Sequence, residues 1–299
     1  MSKILFWSPY HGQGQTSNLY AIALIFGIIY KKQVLLTQTH FKYNNLESPL
    51  VGRNVDKQSD EGEIFEDIGI DMAVTYSNMN YLNKRTLENC CLTFLDSLIL
   101  MMPGTKANNK ETFDREIGGS MNRLIKAASE YMDLVFIDSN SGCDDLSLCL
   151  MSTADLIVVN LSQHRYVLEN FFAEYGERFK NDKRIFYLFG DYDDNSGYNI
   201  DNCRRKFNNY MKSFNSGVIP YCTKYMDAQN ESNVIRFFQE GMLKRRKHSL
   251  IVQFKWRYTN MKKGIYTQDE TEYFFRSALS CADKIIALLH IPVKKNFRG

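Results

Sequence analysis

Apolar residues along the chain fall into short unbroken runs, separated by longer stretches in which they recur every three or four positions. Ile4 to Trp7 is the first run and Gln33 to Thr37 the second; Leu98 to Met102, Leu134 to Asp138, Asp155 to Leu161, Arg184 to Phe189 and Gly217 to Pro220 follow. Runs of this length, rich in Val, Ile, Leu and Phe and bounded by turn residues, predict strands buried on both faces. Helical spacing is read at Leu19 to Tyr30, Ile64 to Val74, Leu87 to Leu100, Phe113 to Tyr131, Asp144 to Ser152, Val167 to Phe179 and Asn202 to Ser213. Strands that alternate with helices predict an α/β fold: a mostly parallel sheet flanked by helices on both faces. Asp269 to Leu289 predicts a last long helix with a broad apolar face, suited to packing on the sheet. A membrane-surface helix is the alternative, opposed by Asp269, Glu270 and Glu272, which favour a helix N-terminus and repel anionic lipid.

Composition narrows the class without naming a chemistry. The 299 residues are 44% hydrophobic and 24% charged with a formal net charge of +3, as in an ordinary globular protein. No segment offers ~20 uninterrupted apolar residues, and the start lacks a signal-type pattern, so a cytoplasmic protein is expected. Cys90, Cys91, Cys143, Cys149, Cys203, Cys222 and Cys281 show no Cys-x-x-Cys spacing and read as reduced, mostly buried residues rather than zinc ligands. A single domain over 1–299 is expected, with 241–299 as a basic, helical C-terminal extension. That extension holds Lys244 to Lys247, Lys255, Arg257, Lys262 and Lys263 among Phe254, Trp256 and Tyr258. Lys244 to Lys263 is therefore either a patch for DNA or a membrane surface, or a solvated face with its aromatics turned inward.

The candidate chemistry lies at the first strand. Trp7 to Leu24 runs strand, glycine-punctuated turn, helix, the context of a phosphate-binding loop. Gly12 and Gly14 allow positive φ and close approach to a ligand, and the first turn of the helix aims N–H groups at phosphates. The motif's Gly-Lys-Thr/Ser ending is here Gly14-Gln15-Thr16-Ser17. A neutral Gln15 hydrogen bond is worth about 0.5–1.5 kcal/mol net against about 1.5–3 for a charged donor, so weakened binding is expected. The alternative is that the glycines merely shape a βα turn. Asp138, a carboxylate closing an apolar strand, is the candidate for magnesium or water coordination, with Thr16 as the hydroxyl ligand. His11 and His40 are either a loop acid or base, or satisfied loop histidines; Asp144 and Asp145 are either a switch or a helix cap.

The loop Tyr10 to Ser17, the strand end Phe136 to Gly142 (FIDSNSG) and the strand end Val218 to Tyr221 (VIPY) together resemble the MinD/ParA branch of the phosphate-loop NTPases, over roughly residues 1–240. The resemblance implies that Tyr10, His11, Gly12, Gln13, Gly14, Gln15, Thr16 and Ser17 hold the phosphates of ATP or ADP. It further implies that Pro220 and Tyr221 lie against the adenine, and that Thr16 and Asp138 hold Mg2+. Leu36 to Gly52 resembles the family's second strand and switch segment. HGQGQTSN, DIGID at Asp67 to Asp71, PGT at Pro103 to Thr105 and IPY are most similar to the TadZ/CpaE group, MinD-like proteins associated with positioning pilus-assembly machinery. The chain departs from the family where charge matters: Tyr10 stands for the signature lysine, Gln15 for the phosphate lysine, and Gln38 and His40 for carboxylates after the second strand.

The expected function is thus a localisation or assembly factor that binds a nucleotide weakly or structurally, with no residue assigned a catalytic role. By resemblance it is a homodimer, has protein partners of a pilus or secretion assembly, and is recruited to the inner membrane face or a cell pole. The alternatives are an ATPase switch using a basic residue from elsewhere, and a nucleic-acid or membrane-surface binder acting through Lys244 to Lys263.

Overall fold

The computed structural model of the chain, which describes residues 1–41, 46–51, 68–107, 110–243 and 269–292, turns the apolar runs into strands. These are β1 (Ser2–Trp7), β2 (Val34–Gln38), β3 (Leu92–Phe94), β4 (Ile99–Met101), β5 (Leu134–Asp138), β6 (Leu156–Leu161), β7 (Ile185–Tyr192) and β8 (Ser216–Pro220). They form one sheet in the order β3-β4-β2-β5-β1-β6-β7-β8. Every neighbouring pair is parallel except β3 with β4. The C-terminal ends of β1, β2, β5, β6, β7 and β8 therefore share one edge of the sheet, where open α/β sheets place ligands.

The helices are α1 (Gln15–Ile28), α2 (Ser48–Val51), α3 (Ile70–Asn78), α4 (Lys84–Asn89), α5 (Lys110–Phe113), α6 (Gly119–Ser129), α7 (Asp145–Thr153), α8 (Arg165–Phe179), α9 (Ile200–Lys206), α10 (Thr223–Asn230), α11 (234–243) and α12 (Glu270–Leu288). Side-chain alternation along the strands divides the interior in two. Leu5, Trp7, Leu35, Val135 and Ile137 face α3, α6, α7 and α8; Ile4, Phe6, Leu36, Phe136 and Val158 face α1 and α12. Because α1 lies between the sheet and α12, every residue from Leu19 to Gly27 is buried, and the helix is apolar all round rather than amphipathic. The apolar face of α12 is covered by β8 and α1. Packing thus explains it, as the first of the two expectations held.

Two helical expectations are corrected. Leu87 to Leu100 is α4 followed by the hairpin β3–β4, whose connection places Leu95, Asp96 and Ser97 at positive φ. Leu92, Thr93 and Phe94 alternate with a period of two, and pairing with β4 outweighed the weaker 3.6-residue pattern. In Asn202 to Ser213 the helix stops at Lys206, because Phe207 leaves helical geometry (φ −108°, ψ 40°) and Asn208-Asn209 continue as a turn. Of Ile64 to Val74, residues from Ile70 onward lie in α3; 64–67 and Lys244 to Lys263 fall outside the described residues.

Candidate functional site

The loop between β1 and α1 takes the shape its glycines predict. Gly12 (φ +74°) and Gly14 (φ +68°) occupy the left-handed region, and a side chain at Gly12 would meet nothing within 4 Å, so it is the backbone conformation and not crowding that calls for glycine there. The N–H groups of Gln15, Thr16 and Ser17 open α1 and have no carbonyl within the helix to receive them; Asn18 N–H, donating to Gly14 O at 2.9 Å, is the first that does. These orphan donors and the helix dipole form an anion cradle.

Its charges are missing. After Lys3 the next lysine or arginine is Lys31, so the loop supplies no fixed cation. Gln15 is buried and its amide turns toward the end of β5 rather than outward. Nε2 donates to Asp138 Oδ1 at 2.7 Å and to Ser139 O at 2.6 Å, while Oε1 accepts from Ser8 Oγ at 2.8 Å. A carbonyl can only accept, so Ser139 O fixes which end of the amide faces β5. Both Nε2 hydrogens are then committed, and any hydrogen bond from Gln15 to a phosphate must replace one of them.

Asp138 is the hub. It is fully buried and accepts from Thr16 Oγ1 at 2.7 Å as well as from Gln15; His40 Nε2 lies 3.6 Å from its Oδ2. The loop after β5 is fastened to the loop after β1 by Gly142 N–H to Ser8 O (2.9 Å), Trp7 Nε1–H to Gly142 O (2.6 Å) and the Ser8–Ser141 hydroxyl pair (3.0 Å). On the other flank, Gln13 Oε1 accepts from Ser162 N (2.9 Å), and Asn18 Nδ2 donates to Asn160 Oδ1 (3.0 Å), tying the loop to the end of β6. α10 completes the support: Tyr225 donates to Ser17 O at 2.6 Å and Ser17 Oγ to Gln229 Oε1 at 2.8 Å. Asn160, Tyr225 and Gln229 lie in no motif, and only their spatial convergence with the loop reveals them.

The remaining sequence candidates are spread around this core. Tyr10 is half-buried beside Glu174 and Tyr166; burial first, then those neighbours, raise its pKa, so the phenol stays neutral. His11 is exposed and lies outside the hydrogen bonds around Asp138. Pro220 is buried at the end of β8, and Tyr221 is exposed, its N–H held by Tyr192 O at 3.2 Å. Asp144 caps α7, accepting from Ser147 N at 2.7 Å, so its helix-capping reading is the one observed. Gln38 is fully buried in β2, opposite Asp138 in register, with neither amide atom hydrogen-bonded. Asp191, unforeseen as a site residue, has a carboxylate oxygen 3.8 Å from where a side chain at Gly14 would begin. The residue is exposed overall, yet the desolvation of its carboxyl raises its pKa. A carboxylate there opposes an incoming phosphate.

Ile70 and Asp71 of DIGID meet the PGT segment; Asp67 lies outside the described residues. Asp71 accepts from Thr105 Oγ1 (2.8 Å) and Lys106 N (2.8 Å), and Ile70 N–H donates to Pro103 O (2.9 Å). The contact is a structural clamp between α3 and the segment after β4. Among the described residues, no group of three or more His, Cys, Asp or Glu could hold a metal ion. The Thr16–Asp138 oxygen pair is nonetheless of the hard-ligand type that suits Mg2+ beside phosphates. No helix among the described residues is long and apolar enough to cross a membrane.

Neither a protein-family model nor a curated protein matches the sequence. Solved structures do match the fold. The cell division ATPase MinD of Pyrococcus furiosus is 14% identical with a TM-score of 0.63, over 96% of this chain and 99% of that one. The septum site-determining protein MinD of Pyrococcus horikoshii OT3, complexed with Mg-ADP, is 13% identical with a TM-score of 0.62, over 97% and 98%. A Cyanothece McdA variant in complex with ATP is 12% identical with a TM-score of 0.59, over 98% of both chains. At these identities the likeness speaks for architecture, and the chain has the MinD/ParA ATPase fold.

Proposed function

We propose that the protein is a localisation or assembly factor of the MinD/ParA type, nearest in its motifs to TadZ/CpaE, which holds ATP or ADP weakly at a degenerate phosphate loop. The observation that carries this reading is Gln15: the residue in the lysine's place is neutral and has both its donors engaged by Asp138 and Ser139. Tyr10 to Ser17 would cradle the phosphates through backbone N–H groups, and Pro220 and Tyr221 would lie against the base. Thr16 and Asp138 would hold Mg2+, which when bound supplies charge neutralisation at the phosphates. The ligands of the Pyrococcus MinD and Cyanothece McdA structures support nucleotide as the ligand class.

Phosphoryl transfer relies on cations placed at the transferring group, a single one being worth about 10³–10⁵ in rate. A loop lacking both lysines and flanked by Asp191 disfavours turnover. The protein would act as a scaffold or slow switch, as a homodimer within one domain extended by 241–299, recruited to the membrane face or pole through pilus or secretion partners. Titration with ATP and ADP, with and without Mg2+, followed by sedimentation of the mixtures tests this. Weak binding without appreciable hydrolysis supports the scaffold; rapid Mg2+-dependent hydrolysis supports the ATPase switch with a basic residue from elsewhere.

A further inference from the structure

The outer edge of β8 carries a cavity that shares no residue with the phosphate loop. Its volume is about 290 Å3, and it is walled by α9, β8 and α12. Arg204, Arg276 and Lys284 line it, Ser277 and Ser280 add hydroxyls, and no carboxylate is present in the lining. Lys284 Nζ and Arg204 Nη2 donate to the same carbonyl, Ser216 O, at 2.8 and 3.2 Å, and Arg204 Nε donates to Ser216 Oγ at 2.9 Å. Arg204 is balanced by Asp201 at 3.1 Å, whereas Arg276 and Lys284 form no ion pair among the described residues.

Covering the outward carbonyls of an edge strand protects it from unwanted pairing, and that accounts for one cation on Ser216 O. It leaves the second cation there unexplained, and Arg276 as well, whose guanidinium lies over the Tyr273 ring at 5.5 Å. Lys284 is partly desolvated; burial chiefly lowers its pKa, the nearby Cys281 thiol opposes that, and Arg204 adds to it. An anion in the cavity would relieve this repulsion and give both unpaired cations a partner.

We propose that the cavity is an oxyanion site for a phosphate-type dianion, free or as the terminal group of a small phosphorylated molecule, gripped by Arg276 and Lys284 with the hydroxyls of Ser277 and Ser280. The site stands apart from the nucleotide reading of the loop and does not depend on it. Its test uses the full chain with inorganic phosphate, pyrophosphate and AMP as probes. Acetylation of Lys284, followed by mass spectrometry across a titration of each probe, reports this cavity alone and gives its affinity.

The expected result is protection of Lys284 by at least one probe, and about tenfold weaker binding in the exposed-site variant Arg276→Gln. The loop variant Thr16→Ala should leave the protection of Lys284 unchanged, because only that readout is confined to the cavity. Preference for AMP over phosphate identifies a phosphorylated small molecule as the source, and the reverse identifies the free ion; both support the site. Lys284 acetylation that is indifferent to all three probes at about 10 mM, or protection that survives Arg276→Gln, overturns it.

Discussion

Gln15 is the residue on which the functional reading turns, and its side chain differs from a lysine in more than charge. A lysine offers three donors on a flexible stem, whereas the amide offers two and both are engaged. Gln15→Lys should pair with Asp138 and leave a donor for a phosphate, raising ATP affinity by about tenfold, one charge-assisted hydrogen bond's worth; unchanged affinity in calorimetry would mean that the cradle itself is defective. Asp191 gives a pH test. Its folded-state pKa is raised, so its contribution to stability is full below the unfolded carboxylate value and is lost as pH rises through the folded value. Asp191→Asn should flatten that decline in thermal melts and strengthen ATP binding at neutral pH. A variant melting profile that keeps the wild-type slope over this range would remove Asp191 from the account.

At the scale of elements, most of the pattern was legible because each buried strand is a continuous apolar run and α1, α3, α4, α7, α9 and α12 each start at a glycine or a capping side chain. Asp144 and Asp269, read as helix-start residues, accept hydrogen bonds from the first turns of α7 and α12. Asp144→Ala should cost about 1 kcal/mol through loss of the cap, seen as a lower urea midpoint at unchanged m-value. β4 was read as the strand Leu98 to Met102, but its partner β3 was missed because it is three residues long and the turn between them relies on non-glycine residues at positive φ, which leave no compositional mark. Gly241 was equally silent in the sequence. A methyl group there would lie 2.1 Å from the Phe275 ring, so Gly241→Ala should destabilise by about 1–3 kcal/mol despite alanine's better helix propensity. A gain in stability on urea denaturation would show that α11 and α12 are not held as closely as described.

For the whole molecule, the strand order puts β1 between β5 and β6 and so gathers the loop, Asp138 and Asn160 at one sheet edge. That gathering explains which parts of the site could be read in advance. Gly12, Gly14, Thr16 and Asp138 carry motif spacing, and Thr16 and Asp138 do meet at 2.7 Å. The direction taken by Gln15 was illegible, because the acceptors that turn it inward lie 123 and 124 residues away and exist as a pair only once β1 and β5 are adjacent. The same holds for Asp191, whose position beside Gly14 depends on β7 ending near the loop.

The central claim, a nucleotide cradle that has kept its shape and lost its cations, is tested most directly by calorimetric titration of the wild-type protein with ATP in the presence and absence of Mg2+. The predicted result is saturable binding with a dissociation constant of about 0.1–1 mM, the range of an electrostatically weakened site, strengthened by Mg2+ at Thr16 and Asp138 and without appreciable release of phosphate. Micromolar binding that requires Mg2+ and proceeds to rapid hydrolysis would contradict it.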